Sequence, residues 1–316
     1  MSGAVFTFPE TFPYNVTCLR KGWVYMTRKL DFAIVGGDVR HAQLANFLAD
    51  DGHRVFVYAL KSAELSDRVI REDNLASLSK HVDCVILPIP LQNETGHLNT
   101  PLSDKKHELP LLFSLLSTGQ MVIGGKITND VFELAAKCGI RLFDCLERED
   151  FTVMNALPTA EGAIGVAMNL EQTTLNRKNV LVLGFGHIGK LLSAKLYGLG
   201  AKVTASARKS GDLAWISSYG YDAINTHDVR EKLSEFDIIF NTIPSKILDR
   251  EALLQVKKNS LIIDLASRPG GVDFEAAREL DLRVSHALSL PGKVAPVTAA
   301  ESLRTTVYNI LDEWGK

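Results

Sequence analysis

Asn179 to Ser210 reads NVLVLGFGHIGKLLSAKLYGLGAKVTASARKS, and no other stretch narrows the possible folds as far. Val180 to Leu183 form a short apolar run; Gly184, Gly186 and Gly189 follow it in G-x-G-x-x-G spacing and open an amphipathic segment with Ile188, Leu191, Leu192 and Leu196 on one side. Strand, tight turn and helix start are thereby predicted, and a second strand, Ala201 to Ala205, returns after Gly200. Gly184 permits the turn, Gly186 lets backbone approach a pyrophosphate, and Gly189 lets helix and strand pack closely. The free N–H groups of the helix start bind the anion. The whole loop Gly184, Phe185, Gly186, His187, Ile188 and Gly189 is therefore the expected dinucleotide site.

The end of the second strand selects the cofactor. An NAD site needs a carboxylate there for the ribose hydroxyls, but the chain reads Ser206, Ala207, Arg208, Lys209, Ser210, with no acid before Asp212. Arg208 and Lys209 attract a 2′-phosphate that a carboxylate would repel, so NADP is expected, with NAD still admissible.

Composition excludes other classes. A net charge of −2 over 316 residues, without a Lys/Arg run, gives no field for nucleic acid. No apolar stretch is long enough to cross a bilayer, so neither a membrane nor a nucleic-acid partner is expected. Cys18, Cys84, Cys138 and Cys145 form no C-x-x-C pair; reduced thiols and no metal site are the expectation.

Upstream the same design recurs: strand Asp31 to Val35, Gly36 in the place of Gly184, helix Arg40 to Asp50, Gly52 in the place of Gly200. Asp38 and His41 occupy the second and third glycine positions, bringing charge and bulk where a pyrophosphate would sit, so this unit should not bind a dinucleotide. Strands at Cys84 to Leu87, Met121 to Gly124 and Arg141 to Asp144 continue it, with a polar, functional-looking loop at Gln92 to Lys106. Pro158 should break regularity, Thr159 should cap, and a crossing helix should run from Glu161 to Leu175. Beyond Ser210, βα alternation predicts strands at 237–241, 261–265 and 283–286 and a C-terminal helix from Thr298 to Trp314.

The expected fold is α/β, with two Rossmann-like doubly wound parallel-sheet domains joined by crossing helices and the C-terminal helix packing back on the first. Residues 1–25 form an extension, with Met26 opening the folded unit; 26–158 form the first domain, to which 297–316 return, and 159–296 form the NADP-binding domain.

Ligands should bind beyond the carboxyl ends of the second sheet, where Thr242, Ile243, Pro244, Asp264 and Ala266 join the cofactor candidates. Arg268, in a Gly-Pro turn after a buried strand, can hold a carboxylate bidentately, and His286 can serve as acid or base. Lys293 and Arg40 are further basic candidates, and Glu161 is a weaker one.

Taken together, Val35-Gly36-Gly37-Asp38 with Arg40, Leu146-Glu147-Arg148, Pro158-Thr159-Ala160-Glu161-Gly162, the glycine fingerprint with Ala207-Arg208, and Asn241-Thr242-Ile243-Pro244-Ser245 form an ordered pattern. With Ile263-Asp264-Leu265-Ala266-Ser267-Arg268-Pro269-Gly270-Gly271, Leu290-Pro291-Gly292 and Ala295-Pro296, it resembles the dipicolinate synthase A subunit of spore-forming bacteria. The resemblance implies NADP-linked oxidation of a dihydrodipicolinate to the aromatic dicarboxylate, a flavoprotein-like B subunit as partner, and a cytoplasmic place in the sporulating mother cell. A homo-oligomer is expected as well. Arg268, Lys293 and Arg40 would then hold two carboxylates. The chain departs from the family pattern in its extension before Met26 and in His187, where arginine is expected. Arg268 with Val272-Asp273 also looks like the arginine turn of two-domain 2-hydroxyacid dehydrogenases. That reading, an alanine-dehydrogenase-like enzyme and a non-catalytic NADP-binding protein stay open at this point.

Overall fold

The computed structural model of the chain describes residues 29–314 other than 79–81 and 105. The expected extension 1–25 and the start at Met26 lie outside the described residues. Among the described residues, twelve strands form two six-stranded parallel sheets. The first holds β1 (Asp31–Val35), β2 (Arg54–Tyr58), β3 (Val69–Arg71), β4 (Cys84–Ile86), β5 (Met121–Gly124) and β6 (Arg141–Asp144), in the order β3-β2-β1-β4-β5-β6. The second holds β7 (Asn179–Leu183), β8 (Lys202–Ala207), β9 (Asp222–Asn225), β10 (Ile238–Asn241), β11 (Leu261–Asp264) and β12 (Arg283–His286), in the order β12-β11-β10-β7-β8-β9. Each is the doubly wound order of a dinucleotide-binding unit, which reverses direction beside its first strand and opens a crevice there.

The central strands are apolar throughout because helices cover both faces: Val180 to Leu183 are fully buried, as are Ile34, Val35 and Ile263. The expected C-terminal helix is present as Pro296–Glu313, and it packs on the first domain. Its Ala300, Leu303, Val307 and Ile310 enter one cluster with Phe32, Leu44 and Leu48. A polar clasp adds direction. Arg148 donates to both oxygens of Glu313 at 2.6 and 2.8 Å and also pairs with Asp150, which accepts from Asn309 at 2.8 Å.

The crossing helix departs from expectation. It is a single helix, Glu149–Glu171, with Pro158 inside it, rather than a segment beginning after Pro158. Thr159 does not cap; its hydroxyl donates back to Asn155 O at 2.8 Å. Proline in a helix interior costs about 3 kcal/mol, yet Phe151 lies in the core of the first domain while Ala160, Ala163, Ile164 and Ala167 lie in that of the second. Burial at both ends outweighs the lost bond. The 158/159 division thus falls inside a continuous helix that belongs to both domains.

Two edge strands, β3 and β9, are additions to what the sequence predicts. Cys84, Cys138 and Cys145 are free thiols, and burial pushes those of Cys84 and Cys145 far above the ordinary range. Among the described residues, no group of three or more His, Cys, Asp or Glu is placed to hold a metal, and no helix is long and apolar enough to cross a membrane.

Candidate active site

The glycine loop joins β7 to the helix His187–Gly198. Gly184 sits at φ +96°, and a Cβ there would stand 2.5 Å from Thr242 Oγ1. A Cβ on Gly189 would meet the Gly184 carbonyl oxygen at 2.1 Å. Gly186 differs: nothing lies within 4 Å of where its Cβ would be. It is the N-cap of the helix, and no side chain caps the free N–H groups that follow. An open glycine under an uncapped helix start is a cradle for an anion, and a dinucleotide pyrophosphate fits it. Phe185 is buried, Ile188 half-buried, and His187 exposed, its Nε2 3.8 Å from Glu149.

At the end of β8 the candidates separate. Ser206 is fully buried, and its hydroxyl oxygen accepts from Gly184 N at 3.2 Å and from Thr226 Oγ1 at 3.3 Å. It braces the turn. Ala207 is buried, whereas Arg208 and Lys209 are exposed and make no ion pair among the described residues.

The carboxyl ends of β10 and β11 share one polar core. Asp264, fully buried, accepts from Ala266 N at 3.1 Å and Gly271 N at 2.8 Å, and from Asn241 Nδ2 at 2.8 Å. Asn241 in turn accepts from Ile243 N at 3.1 Å. Thr242 donates its hydroxyl to Leu183 O at 2.8 Å, and Pro244 is exposed. Asp264 therefore shapes the 266–271 loop with both carboxylate oxygens, and Gly271 is required because a Cβ would meet Asn241 Nδ2 at 2.1 Å.

That loop carries Arg268, which is exposed and ion-paired with Glu94 of the first domain across the cleft. His286 stands behind it: Nε2 lies 2.9 Å from Ala266 O, and its ring stacks on Phe274 at 4.8 Å. Lys293 is exposed on the short helix Leu290–Val294, with no ion pair among the described residues. Glu161, the weaker candidate, is paired with Lys195 at 2.8 Å.

In the first unit the corresponding loop is filled by side chains of the chain itself. Asp38 caps the helix Val39–Asp50, its carboxylate accepting from Arg40 N at 3.0 Å, and Arg40 closes on it through Nε and Nη2. Where the second unit has the open Gly186, the first has Asp38, and beside it Gly37 has the His41 ring 2.3 Å from its would-be Cβ. A carboxylate of the chain itself occupies the anion position. Burial alone would raise the Asp38 carboxyl, but hydrogen bonds with His41 and Arg40 and the guanidinium charge hold it well below the usual range. Arg40 is buried and also donates to Ile89 O at 2.6 Å, so its Nε and Nη2 are spent within the domain rather than offered to the cleft. Sequence reasoning does not find Asn241, Thr226 or Glu94. Asn241 stands inside one of the family motifs, but nothing in sequence marks its bond to Asp264 or the reach of Glu94 to Arg268.

Two doubly wound sheets facing a cleft, with the nucleotide loop open in one and plugged in the other, define a two-domain nicotinamide-dependent oxidoreductase. Residues 159–279 match the D-isomer specific 2-hydroxyacid dehydrogenase NAD binding domain, and residues 31–146 the N-terminal domain of the dipicolinate synthase A subunit. The dipicolinate synthase A subunit of Bacillus subtilis (strain 168) is 31% identical over 290 residues, 91% of this chain and 98% of that relative. The crystal structure of the A subunit from Bacillus halodurans has a TM-score of 0.81 at 29% identity, covering 89% of this chain and 97% of that one. The crystal structure of the Bacillus subtilis protein likewise scores 0.81 at 30% identity, covering 91% and 97%. The chain belongs to the family of dipicolinate synthase A subunits.

Proposed function

We propose that the chain oxidises a dihydrodipicolinate-type ring to the aromatic pyridine-2,6-dicarboxylate with NADP, as the A subunit of a complex with a flavoprotein-like B subunit in the cytoplasm of a sporulating cell. The observation that carries this reading is the pairing of an open anion cradle at Gly186 with an arginine, Arg268, on a carboxyl-end loop of the same sheet. Family membership supplies the substrate class.

The bound oxidised nicotinamide supplies the hydride acceptor. The chain's own residues do the rest. Backbone N–H groups after Gly186 hold the pyrophosphate, and Arg208 and Lys209 hold the 2′-phosphate. Thr242, Ile243 and Pro244 form the wall beside the loop; Asp264 and Ala266, with His286 against the Ala266 carbonyl, keep the 266–271 loop in shape. His286 is thereby a positioning residue, with Nε2 committed to a carbonyl. Arg268 binds one ring carboxylate and Lys293 the other, in exchange for the Glu94 contact. Aromatisation is downhill, so orienting the ring and accepting one proton suffice.

The test is turnover of freshly generated dihydrodipicolinate by the purified chain, alone and with its B subunit, following dipicolinate and reduced cofactor together. Formation of both by the chain alone, faster with NADP than NAD, is the expected result. Product only in the presence of the partner, without cofactor reduction, would assign this chain a binding role and overturn the catalytic roles of its residues.

A further inference from the structure

The carboxyl ends of β2 and β3 border a cavity of about 310 Å³ in the first domain, and none of the roles above uses it. Of the residues that line it, Val57 and Leu60 are buried, and Tyr58 is half-buried with the His107 ring edge-on to it at 5.1 Å. Ser103 and His107 bring to it the polar loop that follows β4. Hydrogen bonds hold this wall in place. Arg71 donates to Leu60 O at 2.9 Å and to Ala63 O at 2.6 Å, Lys61 N donates to Leu102 O at 3.1 Å, and Glu72 N donates to Val57 O at 2.9 Å. The space is thus built by the chain itself, as small-molecule sites usually are.

Its charges narrow the occupant. Lys61 and Asp73 line the same cavity with opposite signs, yet they form no ion pair, with each other or with any other group, among the described residues. Burial, and after it the Asp73 charge, raises the Tyr58 hydroxyl above its ordinary range, which sets that carboxylate against the lining ring. Arg71 commits Nη1 and Nη2 to backbone carbonyls, so the Lys61 ammonium is the cation this wall offers a ligand. A nucleotide does not match. The end of β2 is the counterpart of the Arg208 end of β8, but Asp38 fills the neighbouring pyrophosphate position, and Tyr58-Ala59-Leu60-Lys61 has no acid for a ribose. A ligand bearing only carboxylates would oppose Asp73, and one bearing only ammonium would oppose Lys61. A small zwitterion satisfies both.

We infer that this cavity is a second ligand site, which takes a free α-amino acid: Lys61 holds its carboxylate, Asp73 holds its ammonium, and its side chain lies against Val57 and Tyr58. The inference stands apart from the oxidation proposed above. Lys61 and Asp73 are both exposed, so neither charge alone gives much affinity, and recognition comes from engaging the two together.

The experiment is isothermal titration of the full chain with the standard free α-amino acids, one at a time. At least one should bind saturably with a Kd below about 5 mM. Its N-acetyl derivative and its methyl ester each lack one of the two charges and should bind about 10-fold more weakly. Asp73→Asn and Lys61→Gln should lose affinity to the same extent while melting like the parent, since neither side chain has an ion pair to break among the described residues. The derivatives decide the matter should a variant not fold. Amide ¹H–¹⁵N spectra should shift at Ala59, Leu60 and Asp73, and saturating pyridine-2,6-dicarboxylate should leave the affinity unaltered. The inference is overturned if no amino acid binds below that Kd, or if either variant or either derivative binds as tightly as the original pair. Competition by the dicarboxylate would place the amino acid in the cleft and overturn it too, as would adenosine binding here where no amino acid does.

Discussion

Gly189 lies directly under the carbonyl of Gly184, so close that a β-carbon would stand 2.1 Å from that oxygen, whereas Gly186, between them in sequence, faces open space. The same motif thus holds two kinds of glycine. One serves packing within the chain, and the other keeps room for something outside it.

Substituting each separates the two uses. Gly189→Ala must push helix from strand and should cost about 2 kcal/mol, lowering Tm and abolishing cofactor binding together. Gly186→Ala should leave Tm unchanged yet weaken binding about 10-fold or more, a loss of about 1.4 kcal/mol, because the methyl group enters the pyrophosphate position. Thermal melts and titration with reduced cofactor read both. A Gly186→Ala variant that binds normally would remove the loop from the cofactor site.

Arg208 is exposed and makes no ion pair among the described residues, so its removal breaks no ion pair there. Arg208→Ala should weaken NADP binding about 10-fold, the value of one charge-assisted hydrogen bond of about 1.5 kcal/mol, and leave NAD unchanged. Equal losses for both cofactors in parallel titrations would mean that Arg208 does not contact the 2′-phosphate.

Asp264 satisfies Ala266 N–H, Gly271 N–H and the Asn241 amide from a fully buried position. Asp264→Ala strands these donors and should destabilise the chain by about 3 kcal/mol or more. Asp264→Asn keeps one acceptor and should fall between. Urea unfolding gives the stability order, and KM for the dicarboxylate should rise in both, because the loop that carries Arg268 loses its anchor.

Much of this site was legible in the sequence because the nucleotide loop is a local motif, whose glycine spacing encodes its own geometry. The order of apolar strands, the plugged first loop and the returning C-terminal helix were legible for the same reason, through runs such as Val180 to Leu183 and the pair Asp38 and His41. What escaped depends on tertiary contacts. β3 and β9 are edge strands of three and four residues carrying exposed Arg71 and Asp222, too short and polar for a periodic signal. Pro158 signals a helix end, but burial of Phe151 and Ala160 in two different cores carries the helix through. Arg40 looked available because its neighbour Asp38 gives no hint in sequence of closing on it.

The docking of the C-terminal helix provides a prediction for pH. His53 is buried at 8% exposure between the rings of Phe32 and Tyr308, at 5.1 and 5.9 Å, and its Nδ1 accepts from Leu30 N at 3.2 Å. The ring is therefore neutral in the fold. Burial pushes its pKa below the ordinary 6.5; Asp51 opposes this and Lys29 adds to it. The unfolded chain then binds the extra proton first as pH falls. Stability from this site is intact above about pH 6.5 and declines as pH drops through 6.5 toward the lower folded value. His53→Asn, whose Oδ1 can replace Nδ1 as acceptor, should be less stable at pH 7.5 but should lose less stability between pH 7 and pH 5 than the parent. Urea midpoints measured across that range for both chains give the difference directly. Parallel curves would mean that His53 titrates alike in the folded and unfolded chain, and that the helix is docked without a proton-sensitive contact.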